Sequence, residues 1–362
     1  MNTLVVILLF GSLLLLSFLL ITNPVNVNKK ANFWFGLVLF FWSSFWLEEI
    51  FVLIRLDIQS NLFWLPIRFF QFLTPVVFYY SIAYYANPNF RYGRKDFIHF
   101  LFPIILLIVL MVNQFYSDNP NLSLVLNALV IIQAFYFIVL SYIKIQKHKQ
   151  RIRLFTSNTF QLDLKWLELI ILAIFTLVAF IGIYNILFVE ADLNLFANIV
   201  SLSIVYFIAY NSLKQKEIFL LDENERNLII SSEEQTEINK RKLISDDELE
   251  SQKEHLIKLM DDQKPYLDSE LSLAQLAELM NFTPHQLSYL INAAFEESFF
   301  WFVNRYRVQR VKELLLDKEN KHLTILGIAF ESGFNSKTSF NTTFKKISGQ
   351  TPTEFKKNGA AL

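Results

Sequence analysis

Residues 324–347 read TILGIAFESGFNSKTSFNTTFKKI, and this stretch decides the fold of the C-terminal part of the chain. Thr324 begins a short helix with its apolar residues on one face, and Gly333 follows as a turn residue that readily adopts a left-handed conformation. Ser336 is positioned to cap a second helix. The pattern predicts a helix, a tight turn and a second helix with a polar outer face, a geometry that fits a DNA major groove.

The same pattern occurs once before, at residues 272–294. A short apolar-faced helix ends at a tight turn, and Thr283 is positioned to cap a second helix that has Pro284 as its first residue. A longer apolar helix at residues 300–316 connects the two motifs. Such a rigid spacer would hold the second helix of each motif at a fixed distance from the other. One chain could then bind two neighbouring segments of the major groove.

Five features of residues 273–357 form a recognisable set: IAFESGFNS at 328–336, Phe340, FKK at 344–346, GQTP at 349–352 and NRYRV at 304–308. By these features the segment resembles the AraC family of bacterial transcription activators. The resemblance implies that both motifs bind double-stranded DNA and that bases are contacted by His285, Ser288, Tyr289, Lys337, Thr338, Asn341 and Thr342. One departure is Glu296, which stands where the family usually has glycine.

Charge is distributed unevenly over the C-terminal part of the chain. Residues 255–297 contain two lysines against seven acidic residues, whereas residues 298–362 contain eleven basic residues against five acidic ones. Because lysine and arginine bind DNA phosphates, the second motif and the connecting helix are expected to make most phosphate contacts. The candidates are Arg305, Arg307, Arg310, Lys345, Lys346, Lys356 and Lys357.

The first 213 residues are too apolar for a soluble domain. Over the whole chain 53% of residues are hydrophobic and the mean hydropathy is +0.35, and nearly every long apolar run lies before residue 214. Seven runs are long enough to cross a bilayer as helices, which takes about 20 residues each. They occupy residues 3–21, 33–54, 62–85, 97–116, 122–143, 166–189 and 193–213. The expected fold is all-α, with a seven-helix transmembrane bundle followed by a soluble helical domain in which a long linker helix joins two helix-turn-helix motifs.

Lysine and arginine in the short loops predict the orientation of this bundle. The connections at residues 56–61, 117–121 and 190–192 contain neither residue, whereas the alternate connections are basic. Because basic loops stay in the cytoplasm, the N-terminus is expected outside and everything after residue 213 inside. The predicted location is therefore a bacterial cytoplasmic (inner) membrane, crossed several times, with the C-terminal domain in the cytoplasm and the lipid bilayer as a partner.

Three ionisable residues, Glu48, Glu49 and Arg68, lie inside predicted spans close to the outer surface, and Gln71 follows Arg68 by three residues. The second and third spans run in opposite directions, and at a rise of about 1.5 Å per residue the carboxylates and the guanidinium reach matching depths. One interpretation is an intramembrane ion pair that fixes the register of two helices. The other is a pocket, open to the outside, in which an unknown signal ligand makes or breaks the pair.

Residues 214–254 are charged and contain too few apolar residues to build a core. We expect a partly helical linker there. Two chains would form a homodimer through this linker or through the membrane domain. The expected domains are thus residues 1–213, 214–254 and 255–362.

The chain carries no pattern typical of an enzyme. It has no cysteine, its five histidines are scattered, and Walker, nucleophile-elbow and kinase motifs are absent, so no catalytic residue, metal or other cofactor is expected. The expected function is a membrane-bound, sequence-specific DNA-binding transcription regulator that couples a membrane or external signal to gene expression. The alternative is a transporter-like or receptor-like membrane protein whose C-terminal helical domain binds a protein partner.

Overall fold

The computed structural model describes residues 2–56, 58, 60–115, 120–159, 162, 164–187, 194–214 and 246–359. Within these ranges every regular element is a helix, which confirms the all-α prediction. The chain divides into two compact units. The first is Met1–Gln146 with Leu164–Ile218, and the second is Lys147–Asp163 with Phe219–Leu362.

The N-terminal part of the chain forms apolar helices. They are α1 (Asn2–Thr22), α2 (Lys29–Ser43), α3 (Leu47–Leu53), α4 (Asn61–Ala86), α5 (Leu101–Phe115), α6 (Pro120–Phe155), α7 (Lys165–Leu187) and α8 (Asn194–Lys214). Two 3₁₀ segments, Ser44–Trp46 and Arg94–Phe100, lie between α2 and α3 and directly before α5.

Six stretches of the described residues are long and apolar enough to cross a membrane. They are Asn2–Thr22, Lys29–Leu53, Leu62–Ala86, Arg94–Gln114, Leu124–Phe155 and Leu195–Ser212. These overlap six of the seven predicted spans, and α7 lies at the remaining one, with several of its side chains outside the described set. The fifth stretch is longer than predicted because α6 continues to Phe155 through a run of lysine and arginine, which are good helix formers.

In the first unit, α2 packs against α1 and α4, and α1 also packs against α8. A buried polar network joins these helices. The Tyr85 hydroxyl donates to Asn32 Oδ1 at 2.6 Å, and Asn32 Nδ2 donates to Asn23 Oδ1 at 3.2 Å and to the Val27 carbonyl at 2.9 Å. Because buried polar groups are costly without partners, the network fixes one arrangement of these helices.

The C-terminal part of the second unit is built from seven further α-helices among the described residues. They are α9 (Asp246–Asp262), α10 (Leu273–Leu279), α11 (Pro284–Phe295), α12 (Phe299–Leu316), α13 (Ile325–Glu331), α14 (Lys337–Ser348) and α15 (Pro352–Gly359). Helix α12 is the predicted linker helix. Helix α9 runs across residue 254, where the charged linker was predicted to end, and residues 215–245 of that linker lie outside the described residues.

Helix α12 supplies the apolar surface on which the later helices pack. The core here contains Val308, Val311, Leu315, Ile328, Ala329, Phe334, Phe340 and Phe344, all buried. Close packing of α13 and α14 on one rigid helix gives the second motif a defined orientation relative to α12.

Candidate nucleic-acid interface

The second helix-turn-helix motif consists of α13 and α14. Thr324 Oγ1 accepts a hydrogen bond from the backbone N–H of Gly327 at 3.0 Å, and Ser336 Oγ accepts one from the N–H of Ser339 at 3.4 Å. Both helices therefore begin with a capping hydroxyl. Phe340 is buried in the core against α12, and this turns the polar face of α14 outward.

The polar face of α14 is exposed along its length. Its members are all exposed to solvent: Lys337, Thr338, Asn341, Thr342 and Lys345. Lysine can donate to guanine, asparagine can bond adenine on two atoms, and threonine can bond or contact several base edges. The four predicted base-contacting residues of this motif thus share one face of one helix.

The turn of the second motif requires glycine. Gly333 has φ of +90°, and a Cβ atom there would overlap the carbonyl oxygen of Tyr266 and lie 2.9 Å from Arg307 Nε. The turn closes with a hydrogen bond from the Phe334 N–H to the Ala329 carbonyl at 3.1 Å. The turn therefore lies directly against α12 and against the chain segment that precedes α10.

The first helix-turn-helix motif consists of α10 and α11. Ser272 with Gln275, and Thr283 with Gln286, form reciprocal capping boxes at the starts of the two helices. Asn281 adopts φ of +55° in the turn between them. The cap predicted at Thr283 is present, and the side chain of Gln286 is used for capping.

The predicted base-contacting residues of the first motif are less exposed than those of the second. His285, Ser288 and Tyr289 lie on α11 and are half-buried, and the Asn292 side chain donates to the Ser288 carbonyl at 2.9 Å. Glu296 ends the helix with φ of +56°, a conformation that favours glycine, which explains physically why glycine is usual at this place in the family.

Arg307 does not reach the surface. It is 1% exposed, its Nε donates to the Tyr266 carbonyl at 2.7 Å, and its Nη2 donates to the Asp268 carbonyl at 2.6 Å. Burial lowers the pKa of the guanidinium to about 10, so it stays charged at neutral pH. The prediction that Arg307 contacts phosphate is therefore wrong, because the side chain is enclosed and its donors are used inside the protein.

The sequence does contain a signal for the burial of Arg307. Phe300, Val303, Arg307 and Val311 follow the spacing of one helix face, and the other three are buried core residues. An arginine whose neighbours on the same helix face are apolar is expected to be buried and to bind groups inside the protein, and not to bind phosphate.

Two other arginines of α12 lie at the surface and pair with carboxylates. Arg305 Nε lies 3.2 Å from Glu297 Oε2, and Arg310 Nη1 lies 3.6 Å from Glu313 Oε2. Their side chains keep 44% and 37% of their surface exposed, so phosphate would have to compete with these carboxylates.

The lysine candidates are more accessible. Lys345 and Lys346 are exposed in the last turn of α14, and the Lys346 ammonium lies 4.5 Å from the centre of the Trp301 ring. On α15, Lys356 is half-buried and Lys357 is exposed. Among the seven predicted phosphate ligands, the most accessible are thus the lysines that follow α12.

The predicted polar cluster of the first unit is also present. Arg68 Nη2 lies 3.6 Å from Glu48 Oε2, and Arg68 Nη1 donates to Gln71 Oε1 at 3.1 Å. Gln71 in turn donates to the Ser44 carbonyl at 3.1 Å and is 8% exposed, whereas Glu49 is exposed. The cluster therefore links α4 to α3 and to the 3₁₀ segment Ser44–Trp46. Its charged groups keep about half of their surface open: 46% for Arg68 and 64% for Glu48.

Comparison with known proteins agrees with the C-terminal geometry. A family model described as a helix-turn-helix domain matches residues 276–358. Relatives include uncharacterized HTH-type transcriptional regulators of Staphylococcus aureus strains COL, MSSA476 and N315, each 31% identical over 97 residues. The match covers 27% of this chain and 13% of each relative. No solved structure matches the chain.

These matches confirm the coarser part of the sequence prediction. Residues 276–358 form an AraC-type helix-turn-helix domain, and the relatives that match there are named as transcriptional regulators. Because the chain covers only 13% of the length of those relatives, the similarity concerns this domain alone.

Proposed function

We propose that this protein is a membrane-bound, sequence-specific transcription regulator that couples a membrane or external signal to DNA binding. The observation that carries the proposal is the pair of helix-turn-helix motifs held by α12, with an exposed polar face on α14. The part of the chain that the structure describes also contains six long apolar helical stretches. The two motifs bind double-stranded DNA, and the membrane part responds to a signal of unknown identity.

The surface of the first unit supports a lipid environment. Large apolar side chains point outward along its helices, with Leu15 and Phe18 62% exposed and Leu124 72% exposed. Apolar surface of this extent is unfavourable in water and favourable in the hydrocarbon core of a bilayer. The basic loops then orient the C-terminal domain towards the cytoplasm, where DNA is accessible.

The DNA-binding part of the proposal is tested with the full-length protein in lipid nanodiscs, incubated with a library of genomic DNA fragments over a salt series. We expect specific fragments to be enriched. The double substitution Lys337→Ala and Asn341→Ala should abolish the enrichment because it removes two groups of the exposed face of α14. A matched control, Lys258→Ala with Gln263→Ala, removes the same charge outside the two motifs and should leave the enrichment unchanged.

A folded protein that enriches no DNA sequence at any salt concentration would refute sequence-specific DNA binding. The C-terminal domain would then be a module that binds a protein partner, and the polar cluster of Glu48 and Arg68 would become the first site to investigate.

The membrane part of the proposal is tested by labelling single cysteines in intact cells, which the absence of native cysteine makes straightforward. Ser60→Cys places a cysteine in a loop predicted to lie outside the cytoplasmic membrane. Asn89→Cys places one in a loop predicted to lie in the cytoplasm. A thiol reagent that does not cross membranes should label the first and spare the second until the cells are opened. Equal labelling of both in intact cells would contradict the proposed orientation.

A further inference from the structure

Residues 147–163 were expected only to be a basic connection between two predicted spans, yet they belong to the same compact unit as the C-terminal helices. Four consecutive residues of this connection, 155–158, are buried, and Ser157 is only 1% exposed. We name residues 155–158 the docking segment.

The docking segment pairs with the chain just before the first helix-turn-helix motif. Thr156 forms an antiparallel bridge with Ser272, the residue that caps α10. The backbone N–H of Ser157 donates to the Leu271 carbonyl at 3.3 Å, and the Ser157 hydroxyl donates to the same oxygen at 2.7 Å. The segment therefore binds backbone to backbone, as a short added strand would.

The docking segment also completes the surroundings of the buried arginine of α12. Arg307 Nη1 donates to the Ser157 carbonyl at 3.3 Å, and Arg307 Nη2 donates to the Ser157 hydroxyl at 3.0 Å. The Asn304 side chain donates to the Ser157 carbonyl as well, at 3.0 Å. A buried guanidinium needs acceptors for its donors, and Ser157 provides two of them.

The same cluster reaches the turn of the second motif. Glu270 Oε1 accepts from Asn158 Nδ2 at 3.2 Å and from Asn335 Nδ2 at 2.6 Å. Asn335 stands directly before the capping residue of α14, and Arg307 lies against Gly333 in the same turn. The docking segment thus contacts the start of the first motif and α12 directly, and reaches the turn of the second motif through Glu270 and Arg307.

We propose that the docking segment is an internal coupling element that holds the two helix-turn-helix motifs in their DNA-binding arrangement. Two motifs on one DNA molecule must keep a fixed spacing and orientation, and a preformed arrangement lowers the conformational entropy lost on binding. Withdrawal of the segment loosens the joint between the motifs and weakens DNA binding. This inference rests on the proposed function, and it gives that function a route by which the connection at residues 147–163 regulates DNA reading.

Docking itself is tested by a disulfide, independently of DNA. The full-length protein in nanodiscs carries Thr156→Cys with Ser272→Cys as its only cysteines, since the natural chain has none. Residues paired across an antiparallel bridge have Cα atoms about 4.5–5.5 Å apart, within the range that a disulfide spans. Mild oxidation should form the intramolecular disulfide in most molecules. Failure to form it in protein whose C-terminal helices are protected from hydrogen exchange would overturn the docking.

Coupling is tested by DNA affinity. Ser157→Lys places an ammonium group against the guanidinium of Arg307, and we expect at least a tenfold loss of affinity for the fragments that the parent protein enriches. Thr159→Lys adds the same charge to the same connection at a residue outside the docking segment and should keep the parent affinity. Ser157→Ala removes only the hydroxyl and should give an intermediate loss of DNA affinity. Because this small change should not unfold the domain, it distinguishes loss of coupling from misfolding.

The outcomes separate the two proposals. A parent protein that binds no DNA refutes the proposed function, while the disulfide still reports whether the segment docks. A parent that binds DNA, together with Ser157→Lys and Ser157→Ala variants of equal affinity, refutes coupling. Tighter binding by the two Ser157 variants would also overturn the inference, because the docked segment would then inhibit DNA binding.

Discussion

Substitution of Gly333 by alanine should disrupt the second motif far more than the same change at Gly349. Both glycines have positive φ, +90° and +78°, so alanine meets the same backbone penalty of about 1–2 kcal/mol at either position. They differ in their surroundings. A Cβ at Gly349 meets nothing within 4 Å, whereas a Cβ at Gly333 overlaps the Tyr266 carbonyl and lies 3.1 Å from Leu267 Cα.

The additional effect at Gly333 follows from one hydrogen bond. To make room for the methyl group, the Tyr266 carbonyl must move away from the turn, and this breaks its 2.7 Å hydrogen bond with Arg307 Nε. A hydrogen bond to a charged group contributes about 1.5–3 kcal/mol, and leaving a buried guanidinium donor unsatisfied has a comparable effect. We therefore expect Gly333→Ala to destabilise the motif by about 2–3 kcal/mol more than Gly349→Ala.

Hydrogen exchange measured by mass spectrometry on the full-length protein in detergent micelles provides the assay. Peptides covering α13 and α14 should exchange about 30–160-fold faster in Gly333→Ala than in Gly349→Ala, which is the same energy expressed as a ratio of open states. Peptides of α1 report on the first unit and should be unchanged in both variants. Equal exchange of α13 and α14 in the two variants would refute the argument from close packing.

Four further outcomes are expected. Asn341→Ala should lower affinity for an enriched DNA site about tenfold or more and relax the preference at one base pair, measured by binding to single-base variants of the site. Lys345→Ala should instead reduce the slope of log affinity against log salt by about 1 and keep the sequence preference; an altered preference would contradict a phosphate role. Arg68→Gln should reduce the yield of folded protein. If the pair sets the register of two helices, exchanging the charges of Glu48 and Arg68 should restore that yield. Restored folding without signalling in a reporter strain would favour the signal pocket. The pKa of Glu354 is lowered because the Thr351 N–H donates to its carboxylate at 2.7 Å, so this stabilisation of α15 is present at neutral pH and lost as pH falls through the lowered pKa. Glu354→Gln should remove that pH dependence from the hydrogen exchange of α15, after correction for intrinsic exchange rates.

Much of the C-terminal site could be predicted from local sequence. The caps at Thr283, Thr324 and Ser336 and the turn at Gly333 follow from side-chain chemistry that acts over three or four residues. The exposed face of α14 follows from the 3.6-residue period of a helix, since burying Phe340 turns Asn341 outward.

The partial exposure of the first motif could not be predicted in the same way. Ser288 and Tyr289 occupy outward positions by periodicity, but their accessible surface also depends on elements that pack nearby from other parts of the chain. Arg305 and Arg310 present the same difficulty, because their ion pairs decide how much of their charge is open to DNA.

The amino-acid sequence by itself determined the helical class, the positions of the apolar helices and the two helix-turn-helix motifs, since each depends on periodicity, caps and apolar length within one segment. The helix face of Arg307 signals its burial, but tertiary structure alone decided its partners: Arg307 and Ser157 lie 150 residues apart in the chain and share two hydrogen bonds. No local pattern encodes such a contact. A buried charge is tolerated only where distant carbonyls and hydroxyls converge on it, and only the packed chain brings those groups together.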